Sequence, residues 1–476
     1  MKTKPGLDAD LGRDLLRPSP FNLAFERESG VLLFNSLRRS IATLVGPHAG
    51  ELGRLLTNRG VLTSNGALPP DDRDRMLAEG FVVPANADEM SFARQRFGQK
   101  RFGSNSVSVV IAPTLGCNMR CPYCFEKEAG GYQSPKALSA GNRQRILFFL
   151  TNLVTRRRLG LHINWFGGES LLCIKTVLEM TRCFRLTCEA AKVPFSSSMV
   201  TNGYLLTRDY AKSLVEEGVS SIQVTFDGPR DIHDTIRFTR TGKPTFDRIL
   251  TNVLEASEFL RIGLRIQVSA RNSGRIVELL AHMKEAGLAK CLSNVYFYPL
   301  YGDAQGGACG GCTVPTMEMK EFAACEIGLL RAASAMGFPV ELLPSPGLPC
   351  FGLNPSGFAL DSEGNAYKCE HLLGRAESAV FNVADGGELD AFAPGYRQWF
   401  EYDPYEIPEC RECALLPMCN GYCPLTKLKT AAQCEVEEIR CPPWKYNLRE
   451  RLELYLDKGD DSASLGESES ALNCPE

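Results

Sequence analysis

From Ser106 to about residue 300 the chain alternates between short runs with every second residue apolar and longer stretches with apolar residues three and four apart. The runs SVSVVIA, LHINWF, FSSSMVT, SIQVTF, LRIQVSA and NVYFYPL read as strands. The text between them reads as helix, for example over residues 143–154, 207–217, 245–260 and 275–286. Six strands with intervening helices predict an α/β fold with a parallel sheet of right-handed crossovers, either a partial barrel or an open doubly wound sheet. Chemistry in such folds sits at the carboxyl ends of the strands. Four motifs follow strands here: Cys117 after the first, Gly167-Gly168-Glu169 after the second, Thr201-Asn202-Gly203 after the third and Asp227-Gly228 after the fourth.

The flanking regions read differently. Residues 1–95 predict a small α+β module, with NLAFERESGVLLFNSL as two short strands around a turn at Ser29-Gly30. Helical text follows at 49–56 and 71–79, and Gly80 is a helix stop. The barrel-like core spans 100–305. Residues 306–445 are a Gly- and Cys-rich link, one helix at 316–336 and then loop-rich text dense in Pro, Gly and Cys, which usually needs metal for stability. A last helix at 446–456 precedes an acidic polar tail, 457–476, expected to be disordered.

Composition narrows the class. Of 476 residues, 44% are hydrophobic and 23% charged, which excludes a disordered chain. No run of about 18 apolar residues occurs and the first residues hold no secretion signal, so a soluble, cytoplasmic protein with no membrane partner is expected. A net charge of -3 gives no basic excess for a phosphate backbone, so nucleic acid is not expected. The 19 cysteines are the departure, because an odd count cannot pair completely and disulfides are rare in a reducing cytosol. None precedes Cys117, three fall at Cys117, Cys121 and Cys124, and eight lie from Cys350 to Cys441, which suggests two metal regions.

CNMRCPYC spaces its thiols C-x3-C-x2-C directly after a strand. Structural zinc wants four ligands and the nearest histidine is His162, so the triad suits a 4Fe-4S cluster with one open iron; the plain alternative is three unligated cysteines in a loop. With Tyr123 before the last cysteine, the motif resembles that of radical S-adenosylmethionine (SAM) enzymes. The resemblance implies a partial (β/α)6 TIM barrel and SAM chelated by the open iron. An electron from a reductant such as flavodoxin or ferredoxin would then release a 5′-deoxyadenosyl radical. FGGES resembles the Gly-Gly-Glu motif of that family, in which Glu169 would accept from the SAM ammonium while Gly167 and Gly168 let backbone approach. VTNGYLLT and VTFDGPRDIHDTIR resemble its third and fourth strand ends and would bring Thr201, Asn202 and Asp227 near SAM; for Asp227-Gly228 a simple turn is the alternative. His233, Asp234 and Arg237 are expected as structural pairs at a helix start. Gln267 and Ser269 share one face of the fifth strand, as ribose contacts or as ordinary polar lining.

The second region runs C-x13-G-x4-C (Cys350, Gly364, Cys369), then C-x2-C-x5-C-x3-C-x17-C (Cys410, Cys413, Cys419, Cys423, Cys441). This order resembles the SPASM domain; a zinc ribbon is the alternative. The resemblance implies two auxiliary 4Fe-4S clusters, three clusters in all. Cys410, Cys413, Cys419 and Cys441 would hold one, and Cys350, Cys369 and Cys423 would join the other. The upstream cysteine that would complete the latter is missing from ELLPSPGLP, leaving Cys309, Cys312, Cys325 or an open iron. Glu370 stands where sulfatase-maturing relatives carry an acid that acts as base, and His371 follows. Cys434, Cys173, Cys183, Cys188 and Cys291 are expected as buried small hydrophobes.

The resemblance implies a peptide substrate. The first expectation is a maturase that crosslinks a ribosomally made precursor peptide through a thioether or a carbon-carbon bond. Its leader would add a strand to a winged-helix-like amino-terminal module. The second is an anaerobic sulfatase maturase making formylglycine from Cys or Ser. The third is an iron-sulfur or zinc scaffold without activity.

Overall fold

The computed structural model describes residues 15–58, 70–127, 136–300, 314–345, 347–348, 350–385, 394–431 and 441–461. It divides into two compact units. One reaches to Gly103 and takes in Cys350 and Tyr402–Pro424; the other runs from Ser104 to Ser345 and takes in Phe351–Glu401 and the chain from Leu425 on.

Among its described residues the first unit contains five strands: β1 (Leu16–Pro18), β2 (Asn22–Arg27), β3 (Gly30–Asn35), β4 (Ser40–Leu44) and β5 (Val82–Pro84). β2, β3 and β4 form an antiparallel sheet, and β1 pairs with β5. The expected hairpin is present, with Arg27 opposite Gly30. Gly30 takes φ 136, and a side-chain carbon there would meet the Leu44 carbonyl oxygen at 2.0 Å, so only glycine fits. The expected helices appear as Ala49–Thr57 and Pro70–Ala78, and Gly80 ends the second at φ 77. Helix Glu89–Phe102 was not foreseen, because its apolar stripe is thin and its text is rich in Arg and Gln. The segment from Tyr402 packs on that helix. Arg101 Nη1 donates to the Tyr402 carbonyl at 2.5 Å, Phe97 and Tyr405 rings lie 5.9 Å apart, and Arg94 pairs with Asp403 and Glu406.

Inside this unit one asparagine ties three segments together. Asn35 is fully buried, donating to Asn22 Oδ1 at 2.8 Å and to the Gly80 carbonyl at 3.0 Å, and accepting from the Leu37 and Arg38 amides.

The second unit contains β6 (Ser106–Ile111), β7 (Gly160–Trp165), β8 (Phe195–Thr201), β9 (Val219–Phe226), β10 (Arg261–Val268), β11 (Leu292–Pro299), β12 (Gly357–Leu360), β13 (Asn365–Tyr367) and β14 (Phe381–Asn382). The sheet order is β11-β10-β9-β8-β7-β6-β12-β13-β14, with β6 to β11 all parallel. Each of these six strands lies beside its neighbour in sequence. There is no reversal of strand order, so the winding is that of an incomplete barrel and not of a doubly wound sheet. β12 extends the sheet by pairing parallel to β6, and β13 and β14 follow antiparallel.

One face of the six strands carries buried residues such as Val109, Ile163, Trp165, Val224, Leu264 and Val295, which pack in one core with the helices. The alternate residues, among them Asn164, Gln223, Arg265, Tyr296 and Tyr298, are half-buried on the other face. The expected helices appear as Ala140–Arg157, Arg208–Glu217, Phe246–Ala256 and Ile276–Glu285. Ser139 and Thr207 cap two of them by accepting amides of the first turn, and Gly218 closes one at φ 109. Helix Ile174–Ala191 and strands β12 to β14 add to the expected list. The last helix runs Leu448–Asp461, so residues 457–461, expected in the tail, are helical.

Asn35→Ala should strip partners from the buried Asn22 side chain and Gly80 carbonyl, costing about 1–3 kcal/mol for each group left unpaired. Urea unfolding should show a lowered midpoint; an unchanged midpoint would refute the role of this network.

Candidate active site

The loops after β6, β7, β8 and β9 meet at one end of the parallel sheet. Thr114 begins the cysteine loop by accepting the Gly116 amide on its hydroxyl at 3.0 Å. The Gly-Gly-Glu turn lies directly against it. The Gly168 amide donates to the Thr114 carbonyl at 3.1 Å and the Glu169 amide to the Gly116 carbonyl at 2.9 Å. A side-chain carbon on Gly168 would stand 2.3 Å from the Gly116 oxygen, and one on Gly167, at φ 106, 2.4 Å from the Thr114 oxygen. The close approach that these glycines permit is therefore to the cysteine loop.

Glu169 is fully buried and its carboxylate is occupied by the chain itself. Thr201 Oγ1 donates to it at 2.8 and 2.9 Å, the Asn202 amide at 2.9 Å and the Leu171 amide at 3.0 Å. Burial still holds its pKa above the ordinary glutamate value. Asn202 Nδ2 donates to Asn118 Oδ1 at 2.7 Å and lies 3.7 Å from Cys117 Sγ, so Cys117, Glu169, Thr201 and Asn202 are brought together as expected from their motifs. Cys121 is buried and Cys117 and Cys124 half-buried. Burial raises all three thiol pKa values, that of Cys117 to about 12, and Glu169 adds to the rise at Cys117 as Glu126 does at Cys124.

Sequence reasoning missed Glu126, two residues beyond the third cysteine. It is buried, its Oε1 has no partner, and burial first and Glu169 second push its pKa up to about 8. Only its place beside the triad could have drawn attention to it.

Asp227 is held in a buried ion cluster. Tyr123 Oη donates to its carboxylate at 2.8 and 3.0 Å, while Arg237 Nη1 donates to Tyr123 Oη at 2.8 Å and lies 3.4 Å from Asp227 Oδ2. The aromatic residue of the cysteine motif is thus tied to the fourth strand end. His233 accepts the Asp227 amide on Nδ1 at 3.3 Å, which leaves its proton on Nε2 facing Thr245 Oγ1. Burial, and then Arg237, depress its pKa well below the ordinary range, so it is neutral. Asp234 accepts the Thr245 and Phe246 amides and starts the next helix. Gln267 and Ser269 are both buried, and the Ser269 hydroxyl has no partner. On the half-buried face nearby, the Arg265 guanidinium stacks 3.8 Å from the Tyr298 ring centre and Tyr296 donates to Gln223 at 2.5 Å.

Cys369 is buried at the end of β13, and half-buried Glu370 follows it in a short helical turn. The His371 ring lies 4.4 Å from that of Phe125 in the cysteine loop, so the turn holding Glu370 touches that loop. Cys350, Cys410, Cys413, Cys419 and Cys423 belong to the first unit, and Cys369 and Cys441 to the second. Within the first, Cys410, Cys419 and Cys423 surround Tyr402 closely enough to add to the burial that raises its phenol pKa. Cys309, Cys312 and Cys434 lie outside the described residues, and Cys325 is half-buried on helix Met319–Ala335. Cys188 is buried as expected. Cys183 and Cys291 are instead exposed, and Cys173 is half-buried, because they fall on helix and loop positions turned away from the core.

Residues 111–268 match the profile of the Radical SAM superfamily. The chain carries a radical SAM domain, and that superfamily implies SAM and a 4Fe-4S cluster. Within it, similarity extends to peptide-modifying maturases. The serine-type anaerobic sulfatase-maturating enzyme of Bacteroides thetaiotaomicron is 22% identical over 350 residues, 67% of this chain and 82% of that protein. The cysteine-type enzyme of Clostridium perfringens is 22% identical over 340 residues, 67% of this chain and 88% of its own. The PqqA peptide cyclase of Rhodopseudomonas palustris is 29% identical over 126 residues, 26% of this chain and 29% of that one. The solved structure of anSMEcpe with bound AdoMet has the same fold, with TM-score 0.57 and 15% identity over 76% of this chain and 96% of that one.

The residues present fit the implied groups. Among the described residues no three His, Cys, Asp or Glu side chains make a site for a single ion. A three-thiol donor set with no fourth cysteine or histidine on its loop suits a cluster with an open corner. The unpartnered buried atoms Asn118 Nδ2, Glu126 Oε1 and Ser269 Oγ give a polar ligand groups to bind.

Because the folded pKa of Glu126 is raised, its contribution to stability is full below its ordinary value of 4.5 and is lost as pH rises through about 8. Denaturation of the cluster-free protein should therefore become easier across that window, and Glu126→Gln should flatten the slope. An identical slope in the variant would disprove the assignment.

Proposed function

We propose that this chain is a maturase that takes a hydrogen atom from a residue of a ribosomally made precursor peptide and leaves a crosslink, a thioether or a carbon-carbon bond. The observation that carries the reading is the meeting of the three-cysteine loop with Glu169, Thr201 and Asn202 at the mouth of a barrel whose free face is polar. When bound, the cluster and SAM supply a 5′-deoxyadenosyl radical. The chain's own residues do the rest. Cys117, Cys121 and Cys124 hold the cluster, and Thr201, Asn202 and Glu169 fix the turn beside it. Asp227, paired with Arg237 and Tyr123, keeps the cysteine loop against the strand ends. Gln267 and Ser269 offer hydrogen bonds to the ribose. Glu370, on the turn touching Phe125, would be placed to accept a substrate proton, and the auxiliary clusters, when bound, would supply an electron acceptor. Cys410, Cys413, Cys419 and Cys441 hold one of those, and Cys350, Cys369 and Cys423 contribute to the other. Among the described residues no strand pairs with the outer edges of β2 and β4, and a leader strand could add there. Reductant would come from a flavodoxin or ferredoxin, in the cytoplasm.

The second reading is formylglycine formation on a sulfatase. The two sulfatase-maturating relatives, each similar over 67% of this chain, favour it. Glu370 in place of an expected Asp, and ELLPSPGLP without a cysteine, count against it.

Anaerobically reconstituted protein with dithionite should convert SAM to 5′-deoxyadenosine, and Cys117→Ala should abolish this; no product from the wild type would favour a scaffold. Coexpression with a short peptide encoded beside the gene should yield a peptide lighter by two hydrogens. An unchanged mass would point to epimerisation, and modification confined to a sulfatase would overturn the first reading. Cys410→Ala should lower iron and sulfide content, whereas one zinc and no sulfide would refute the auxiliary clusters.

A further inference from the structure

A buried carboxylate ordinarily has partners, and the two beside the cysteine loop, Glu169 and Glu126, are treated in opposite ways. Glu169 receives donors on both oxygens: Thr201 Oγ1 and the Leu171 amide reach Oε1, and Thr201 Oγ1 and the Asn202 amide reach Oε2. Its lone pairs are thereby taken by the chain itself. Glu126 is 5% exposed, its Oε1 has no hydrogen-bond partner, and among the described residues no cation pairs with it. The charged group that acts on it is Glu169, a like charge. From the turn Phe125–Lys127 its carboxylate comes within electrostatic reach of the Cys117 and Cys124 thiols as well. A second orphan stands beside the same cysteine. Asn118 uses Oδ1 to accept from Asn202 Nδ2 at 2.7 Å, and its own Nδ2 is buried with no acceptor. An acceptor without a donor and a donor without an acceptor, both near Cys117, are complementary to an ammonium and a carboxylate carried by one small molecule. Neither serves the empty fold, because a bare buried oxygen costs free energy that an apolar residue of similar size would spare.

We infer that Glu126 accepts a hydrogen bond from the ammonium group of SAM, at the end of the molecule whose carboxylate meets Asn118 Nδ2. The inference rests on the radical SAM domain and is independent of which peptide is modified. It divides the work of the two carboxylates. Glu169, already saturated, holds the Gly-Gly-Glu turn against the third strand end, and Glu126 supplies the open oxygen. A cation near both also offsets the repulsion between them.

The test uses the full chain, loaded anaerobically with iron and sulfide, and reads ligand binding by equilibrium dialysis with no peptide present. Three ligands are compared: SAM, a deamino analogue in which hydrogen replaces the ammonium, and decarboxylated SAM, which keeps the ammonium. Glu126→Gln should weaken SAM and decarboxylated SAM each by about tenfold or more, the loss of a charge-assisted hydrogen bond, and leave the deamino analogue unchanged. Affinity is expressed per loaded cluster, from iron and sulfide content, so that lost loading is not read as a lost contact. Should Glu126→Gln fail to load, Glu126→Asp carries the test, with a smaller loss confined to the same two ligands. Equal SAM affinity in the loaded variant and the wild type would overturn the inference, whatever becomes of turnover. A loss shared by the deamino analogue would overturn it too, because the group met would then not be the ammonium. Loaded wild type that binds no SAM would overturn it together with the radical reading. Wild type that shows the expected ligand pattern and yet crosslinks no peptide would defeat the proposed function alone.

Discussion

A carboxylate taken out of water costs several kcal/mol unless its lone pairs find donors, and at the carboxyl end of this parallel sheet the buried Glu169 and Asp227 find them. Each is satisfied by groups from a different strand end. Glu169, after β7, draws on Thr201 and Asn202 after β8, and Asp227, after β9, draws on Tyr123 from the loop after β6 and on Arg237. The cysteine loop is thereby held from both sides by interactions that cannot be loosened one at a time. Removing one donor leaves a buried charge uncompensated, which explains why loops without regular structure keep a defined shape at this end of the sheet.

Much of this fold was legible in the sequence because the half-barrel writes its two faces in alternate residues. Val107, Val109 and Ile111 against Ser106 and Ser108 show the pattern, and the same alternation recurs in five further strands. The carboxyl-end motifs could be placed because each follows such a strand directly. The extension of the sheet could not be foreseen. GFAL in β12 is four apolar residues buried on both faces, which carry no periodicity, and its partner β6 lies some 250 residues earlier. The engagements of Tyr123 with Asp227 and with Arg237 depend on residues far apart in the chain. No local pattern encodes them. Gly167 and Gly168 were legible as important, but what they make room for, the carbonyls of the cysteine loop, emerges only in three dimensions.

The thiols illustrate how cofactor and fold share one energy balance. Burial raises the pKa of all three thiols, so the chain alone prefers them protonated. Iron binding requires thiolates. The protons released on loading make cluster assembly favoured by rising pH, even as Glu126 makes the empty fold less stable over the same range.

The clasp on the cysteine loop also has a temporal side. Cys117, Cys121 and Cys124 leave the ribosome well before Glu169, Thr201, Asp227 and Arg237, and a chain folding as it is made can shape the loop only with partners already synthesised. Until Arg237 has emerged, the nascent thiols lack the groups that organise them. The earliest moment for productive metal insertion thus falls after Arg237 has emerged, and a chain stalled before that point would present three reactive thiols with no pocket to shield them.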